Sequence, residues 1–379
     1  MGEVLRVAVA GCGIGTAHAA AWRALDDKFD LRVICDVDGA RAEKLAQGSA
    51  SYGLYPSGGA KPGKGPPHPA AVVADFGELC QRDDVDIIDI CTPPHLHYSQ
   101  CQAALAAGKN VVCEKPLVGS LKEVDELAAA ERRSGKRLMP IFQYRFGHGL
   151  QKLKFLIEQG LAGKAYLSTV ETSWRRRADY YDVPWRGKWK TELGGCLLGH
   201  AIHAHDALYY ALGPARSVFA RTATRVNRIE TEDCASVSLE MADGSLASLS
   251  VTLGSSEEIS RLRFCFEGLV AESHTQPYNS GCDPWKFVGD TPELQKKIAA
   301  ALANFVPQPE GYEGQFSRLH KALSEGSARA GAAPQLPVTL ADARNALELV
   351  TAMYHSAATN KPVRLPLSKR HPLYASWLP

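Results

Sequence analysis

The stretch VAVAGCGIGTAHAAAW, Val7 to Trp22, constrains this chain more than any other. A continuous apolar run meets three glycines, Gly11, Gly13 and Gly15, and passes directly into an alanine-rich segment. The pattern predicts a buried strand, a tight turn and a helix, and the free N–H groups that open such a helix suit a pyrophosphate. Gly11 permits the turn and Gly13 the close approach of the phosphates. In the usual G-x-G-x-x-G spacing the third glycine would fall on Thr16. Here Gly15 comes one residue early, so a loop shortened by one residue, with Ile14 inside it, is expected to border the cofactor.

The rest of the first half repeats this alternation. LRVICD, VDIIDICT, NVVCEKP and RLMPIF read as short apolar strands separated by helical segments. Strands apolar on both faces imply a parallel sheet covered on each side, a doubly wound Rossmann arrangement over residues 1–143. The second strand ends in Asp36. A carboxylate there accepts bonds from the adenosine ribose hydroxyls and repels a 2′-phosphate, so NAD is expected over NADP. One segment interrupts the series: Gly48 to Pro69 is rich in Gly and Pro and reads as a loop or flap.

From residue 144 to 379 the period changes. An amphipathic helix (GLQKLKFLIEQG) precedes strands such as AYLSTVETSW and ARSVFARTATRV. A hairpin turns at Asp243–Gly244, a further pair runs from SRLRFCFEG to LVAESHT, and a long helix from Gly195 to Leu212 lies between the first two strands. Gln276 to Pro309 reads as irregular, and two late helices close the chain. The expectation is an α+β domain with an open, mainly antiparallel sheet. Its outward residues are expected to be apolar enough to make a homodimer or homotetramer interface.

Length and composition agree with this division. With 379 residues the chain exceeds what one core usually holds. A net charge of +2 gives no reason to expect a nucleic-acid partner or a membrane surface. No apolar run reaches membrane-spanning length and no signal peptide is read at the start, which predicts a cytoplasmic protein. The ten cysteines include no C-x-x-C, and several sit in apolar runs, as reduced buried residues would.

Two motifs carry the chemistry. CEKPL places Glu114, Lys115 and Pro116 at the end of a parallel strand, where open α/β sheets bind ligands. GGCLLGHAIHAHDAL, Gly194 to Leu208, sets histidines along a helix. Together with TPPHLHY (Thr92 to Tyr98), EDCASVSLEMADGS and YHSAATNKPVRLPL, they resemble the glucose–fructose oxidoreductase, inositol dehydrogenase and rhizopine-catabolism (Gfo/Idh/MocA) family over nearly the whole chain. The resemblance implies an NAD-dependent oxidoreductase acting on a secondary alcohol carbon of a sugar, glycoside or polyol.

It also implies site residues. Lys115 matches the family's catalytic lysine, His203 the histidine of its D-x-x-x-H helix motif, and Asp206 the acid that follows. Thr92, Pro93 and His97 would line the nicotinamide end, with Glu114 and Gln143 also on the cofactor. Arg145 would touch substrate. SWRRRADYYDVPWRGKWK, Ser173 to Lys190, is similar to the family's substrate-side loop, with Trp185 and Arg186 as contacts. One departure stands out: the family's aspartate falls on Gly199. On a regular helix 199, 200, 203 and 206 share a face, so His200 is the nearest replacement, placed with His203 in catalysis and substrate binding. His205 falls nearly opposite, as a surface or packing residue. A metal held by His200, His203 and Asp206 is not expected, since no cysteine partner or H-E-x-x-H accompanies them. The loss of the aspartate also admits a different class of function, a non-catalytic NAD-dependent sensor on the same fold.

Overall fold

The computed structural model describes residues 3–48, 69–328 and 335–379, which form two compact units. The flap read at 48–69 lies almost wholly outside the described residues. The first unit comprises residues 1–118, 123–141 and 311–343, and the second 119–122, 142–310 and 344–379. A single cut after residue 143 does not describe this division, because a late helix, Gly311–Ala328, returns to the first unit. It does so through aromatic packing: Phe316 stacks flat on Trp22 at 3.6 Å, and both side chains are fully buried.

The first unit holds six parallel strands: β1 (Leu5–Ala10), β2 (Phe29–Cys35), β3 (Ala71–Val73), β4 (Ile87–Ile90), β5 (Asn110–Cys113) and β6 (Leu138–Pro140). Their order, β3-β2-β1-β4-β5-β6, is that of a Rossmann fold. Val7, Val9, Ile34, Ile87, Ile88 and Val112 are wholly buried, as the uninterrupted apolar runs require. β3 and a short helix, Phe76–Cys80, escape the sequence pattern. β3 has only three residues, two of them exposed, and the helix begins at Asp75, whose carboxylate accepts the Glu78 N–H at 2.8 Å.

The second unit is built on eight strands: β7 (Ala165–Arg175), β8 (Ala215–Ala223), β9 (Cys234–Met241), β10 (Leu246–Thr252), β11 (Gly254–Phe266), β12 (Leu269–Ser273), β13 (Trp285–Gly289) and β14 (Val363–Arg364). They run in the order β13-β12-β11-β7-β10-β9-β8-β14. All neighbouring pairs are antiparallel except β7 with β10, so the sheet is mixed and mainly antiparallel. Two sequence expectations need correction. Gln276 to Pro309 is not irregular: it carries β13 and a helix, Pro292–Ala303, capped by Thr291. The outward face is also less apolar than expected. Ser236, Ser238, Ser248 and Ser250 point out from β9 and β10, and exposed apolar residues are confined to positions such as Tyr166, Leu167 and Leu246.

All ten cysteines are free, seven of them buried. Among the described residues no helix is long and apolar enough to cross a membrane.

Candidate functional site

In the first unit, the C-terminal ends of β1, β2, β4 and β5 present every residue the sequence offered there. Gly11 has φ +98°, and a Cβ on it would lie 2.6 Å from the Cys91 carbonyl oxygen, so only glycine fits. Gly13 has no heavy atom within 4 Å of a Cβ position, leaving open space for a phosphate group. Gly15 does the packing work of the third glycine: a Cβ there would meet Val9 Cγ1 at 2.9 Å and Cys91 Cβ at 3.2 Å. The helix starts at Gly15, with Ile14 before it and no acid in its first turn. Asp36 bridges loop and strand, accepting the Cys12 N–H at 2.6 Å and the Asp38 N–H at 2.9 Å. These residues fit a dinucleotide, its pyrophosphate on the helix start and its ribose beside Asp36.

Beyond β4, the Thr92 hydroxyl donates to Gln100 at 2.6 Å, and Pro93 leads into the helix Pro94–Ala106. His97 is buried rather than facing a ligand. Its Nδ1 lies 2.8 Å from the Pro116 carbonyl and its Nε2 2.8 Å from the Thr92 carbonyl. Burial holds this ring below the ordinary imidazole range. One side chain therefore joins the turn after β4 to the turn after β5. There Lys115 is half-buried, and the Glu114 carboxylate accepts its backbone N–H at 2.9 Å.

In the second unit the candidate residues lie in the histidine segment. It is not one regular helix: Cys196–His200 forms a π-turn and Ile202–Leu212 the α-helix. Gly199 and His200 lie in that wider turn, so the α-helical face drawn from sequence holds only from residue 202 onward. The segment is anchored at its start by Glu232, which sequence reasoning missed. Its buried carboxylate accepts the N–H groups of Gly195 (3.1 Å) and Leu197 (3.0 Å) and the Tyr354 hydroxyl (3.0 Å). Gly195 is obligatory, since a Cβ would fall 1.9 Å from the Glu232 carbonyl oxygen. Burial pushes the Glu232 carboxyl up to about 7, against the pull of its hydrogen bonds. The signal available in sequence was the acid pair Glu232–Asp233 directly before β9.

His203 is buried, stacked on Tyr144 at 4.6 Å with Phe142 edge-on. Asp206 and Arg145 hold each other in a buried bidentate pair at 2.7 and 2.6 Å, so within this unit Arg145 orients the helix. Gln143 opens the single 3-10 turn, Gln143–Phe146, that carries Tyr144 and Arg145. The Tyr180 hydroxyl lies 3.1 Å from His200 Nε2. The Arg186 guanidinium donates to the same Tyr180 oxygen, stacks over the Tyr180 and Trp185 rings, and lies 3.8 Å from Glu192. Because Arg186 can only donate, the Tyr180 O–H is directed to His200 Nε2, which accepts. At Gly199, where the acid is absent, a Cβ would stand 3.7 Å from Glu192 Oε1, so a carboxylate already borders that space. His205 is not at the surface. It is 1% exposed, neither ring nitrogen has a hydrogen-bond partner among the described residues, and burial holds it down to about 3.

Comparison with known proteins finds matches in both parts of the chain. Residues 5–142 match the oxidoreductase family with an NAD-binding Rossmann fold, and residues 150–268 match the GFO/IDH/MocA C-terminal domain. A D-glucoside 3-dehydrogenase of Escherichia coli (strain K12) is 30% identical over 214 residues, 55% of this chain and 54% of that protein. The scyllo-inositol 2-dehydrogenase (NADP(+)) of Bacillus subtilis (strain 168) is 23% identical over 311 residues, 78% of this chain and 83% of that protein. The chain's match spans about half the length of several curated relatives. Among solved structures, the WlbA dehydrogenase from Bordetella pertussis in complex with NADH and UDP-GlcNAcA superposes with a TM-score of 0.77 at 26% identity. That superposition covers 97% of this chain and 100% of the other.

Proposed function

The chain belongs to the Gfo/Idh/MocA oxidoreductase family, with an NAD-binding Rossmann domain, and on that premise we propose that it is an NAD(H)-dependent dehydrogenase acting on a secondary alcohol of a sugar, glycoside or polyol. The observation that carries the reading is Lys115. It sits half-buried at the end of β5, in the same row of strand ends as the glycine loop and Asp36. Bound NAD would supply the hydride acceptor. Lys115, as a cation, orients the substrate oxygen and stabilises its developing charge, while His203 takes the hydroxyl proton. Asp36 selects NAD by facing the ribose. His200, Trp185 and Arg186 serve substrate binding, the aromatic and guanidinium faces suiting a sugar ring. The exposed register partners Leu167 and Leu246 support a second copy of the chain on the outer sheet. Gly199 favours one rival, a sensor that binds NAD without turnover.

A panel of sugars and polyols followed by NADH absorbance, run on the native chain and on Lys115→Met, tests the reading. Turnover of one panel member is expected, with a fall of roughly 10²-fold or more in the variant and little change in NADH affinity. NADH binding with no turnover of any member would favour the sensor. Tighter binding of NADPH than of NADH would overturn the role given to Asp36.

A further inference from the structure

Behind the strand ends lies a buried polar cluster around His18. His18, one turn into the glycine-loop helix, is wholly buried. Its Nδ1 is 2.8 Å from Asp89 Oδ2 and its Nε2 3.1 Å from Glu114 Oε1. Asp89, also fully buried, accepts the Trp22 indole N–H at 2.7 Å on the same oxygen. The Tyr312 hydroxyl donates to Glu114 Oε1 at 3.1 Å, and the Tyr312 ring packs against His18 at 4.3 Å, with Phe316 edge-on at 5.5 Å. Cys91 Sγ completes the surroundings, 3.4 Å from His18 Nδ1.

A neutral imidazole carries one N–H and could serve only one carboxylate. The other ring nitrogen would then present its lone pair to the second. Only the imidazolium donates to both, and two buried carboxylates need a cation between them. Burial opposes the charge, but Asp89, by its charge and its hydrogen bond, holds His18 well above the ordinary imidazole range. His18, Asp89 and Cys91 also lie close enough to one another to suggest a metal centre. The contacts favour a proton over a metal. Both ring nitrogens already face carboxylates, and burial pushes the Cys91 thiol up, away from the thiolate a metal would need.

We propose that His18 is a positioning residue: clamped as an imidazolium between Asp89 and Glu114, it fixes the carboxylate that holds the Lys115 backbone, and so ties the glycine-loop helix to the lysine. The geometry makes this a staple across three neighbouring parallel strands. His18 follows β1, Asp89 lies on β4 and Glu114 follows β5. Glu114 uses one oxygen for the clamp and the other for the Lys115 N–H. The proposal rests on the reading of Lys115 as the residue that orients the substrate oxygen.

The test uses the full chain with ¹⁵N-labelled histidine and ¹³C-labelled lysine. In the native protein the His18 ring, assigned by its loss in His18→Gln, should keep both N–H groups from pH ~6 to above pH ~8. An unshifted ring would titrate near ~6.5, and that result would overturn the clamp. In His18→Gln the Lys115 signal, assigned with Lys115→Met, should move; an unmoved signal would overturn the link to the lysine. Should His18→Gln not fold, Asp89→Asn keeps the ring and removes one clamp. The His18 titration should then fall by at least one pH unit, and an unchanged titration counts against the proposal. With a turned-over substrate, His18→Gln and Glu114→Gln should each lower kcat about tenfold, and His18→Gln should change NADH affinity less than twofold. Their double variant should be no worse than the worse single; additive losses would show that His18 does not act through Glu114. If no substrate is found, the reading of Lys115 fails on the panel while the resonance measurements still decide the clamp.

Discussion

His18 in the first unit and His205 in the second are buried almost equally, 0% and 1% exposed, yet their environments dictate opposite charges. His18 lies between two carboxylates and is held as a cation; His205 has no partner at either nitrogen among the described residues and is held neutral, down to about 3. Burial alone removes charge from an imidazole, and carboxylates at hydrogen-bond distance restore it. The same contrast runs through the two units. In the first unit, glycines without room for a Cβ and paired charges at strand ends fix the geometry in backbone. In the second, a histidine segment with a π-turn hangs on one buried carboxyl group, Glu232, and on the Arg145–Asp206 pair. The first unit combines glycine geometry with a clamp that keeps its charge across neutral pH, and the second depends on Glu232, whose carboxyl is pushed up to about 7, so the second should be the more sensitive to pH.

The largest effect separates the two halves by function. His203→Ala should cut turnover by roughly 10²- to 10⁴-fold with NADH affinity unchanged, while His200→Ala should act mainly on KM for substrate. Steady-state kinetics with NADH titration checks both, and equal kcat losses would merge the two histidines into one relay. Gly11→Ala comes next and should do the reverse. The added Cβ meets the Cys91 carbonyl, so fluorescence titration should show NADH affinity reduced by about tenfold or more. An unchanged affinity would break the claim that backbone fixes the first half.

The pH contrast is tested by stability. Glu232 has a folded-state value of about 7, above its ordinary range, so its contribution is fully present below about pH 4.3 and is lost as pH rises through 7. Glu232→Gln keeps the shape and removes that dependence. Relative to the native chain it should gain on the order of 2 kcal/mol in denaturant unfolding between pH 5 and 8. Parallel pH curves for the two proteins would deny Glu232 this role. His205 works in the opposite sense. With its folded-state value lowered to about 3, its contribution is present above about pH 6.5 and is lost as pH falls. His205→Leu should therefore lose acid sensitivity, gaining about 1–2 kcal/mol on the native chain between pH 7 and pH 5. No relative gain at pH 5 would mean that His205 finds a partner in solution.

Much of this was legible in the residues themselves. Apolar runs without alternation specify strands buried on both faces, and the row β1, β2, β4, β5 and β6 followed from them, as did the glycine loop, Asp36 and Lys115. Glycine and a parallel strand's end act through local geometry, which sequence records directly. The division into units was not legible. Gly311–Ala328 reads as an ordinary late helix, and contacts such as the Trp22–Phe316 stack and the Tyr312–Glu114 hydrogen bond assign it to the first unit. The regular-helix face drawn through residues 199 to 206 failed at the π-turn, because that turn depends on Glu232, more than thirty residues away, accepting the Gly195 and Leu197 N–H groups. Asp89 stands in the run VDIIDICT, where nothing in its neighbours names His18 or Glu114 as partners. Sequence by itself determined which backbone shapes are allowed and which faces are apolar, because propensity and burial pattern act over a few residues. The charge on each buried group, and hence the chemistry each histidine can perform, was decided only in the tertiary structure, because ionisation in a dry interior depends on partners brought together from distant segments.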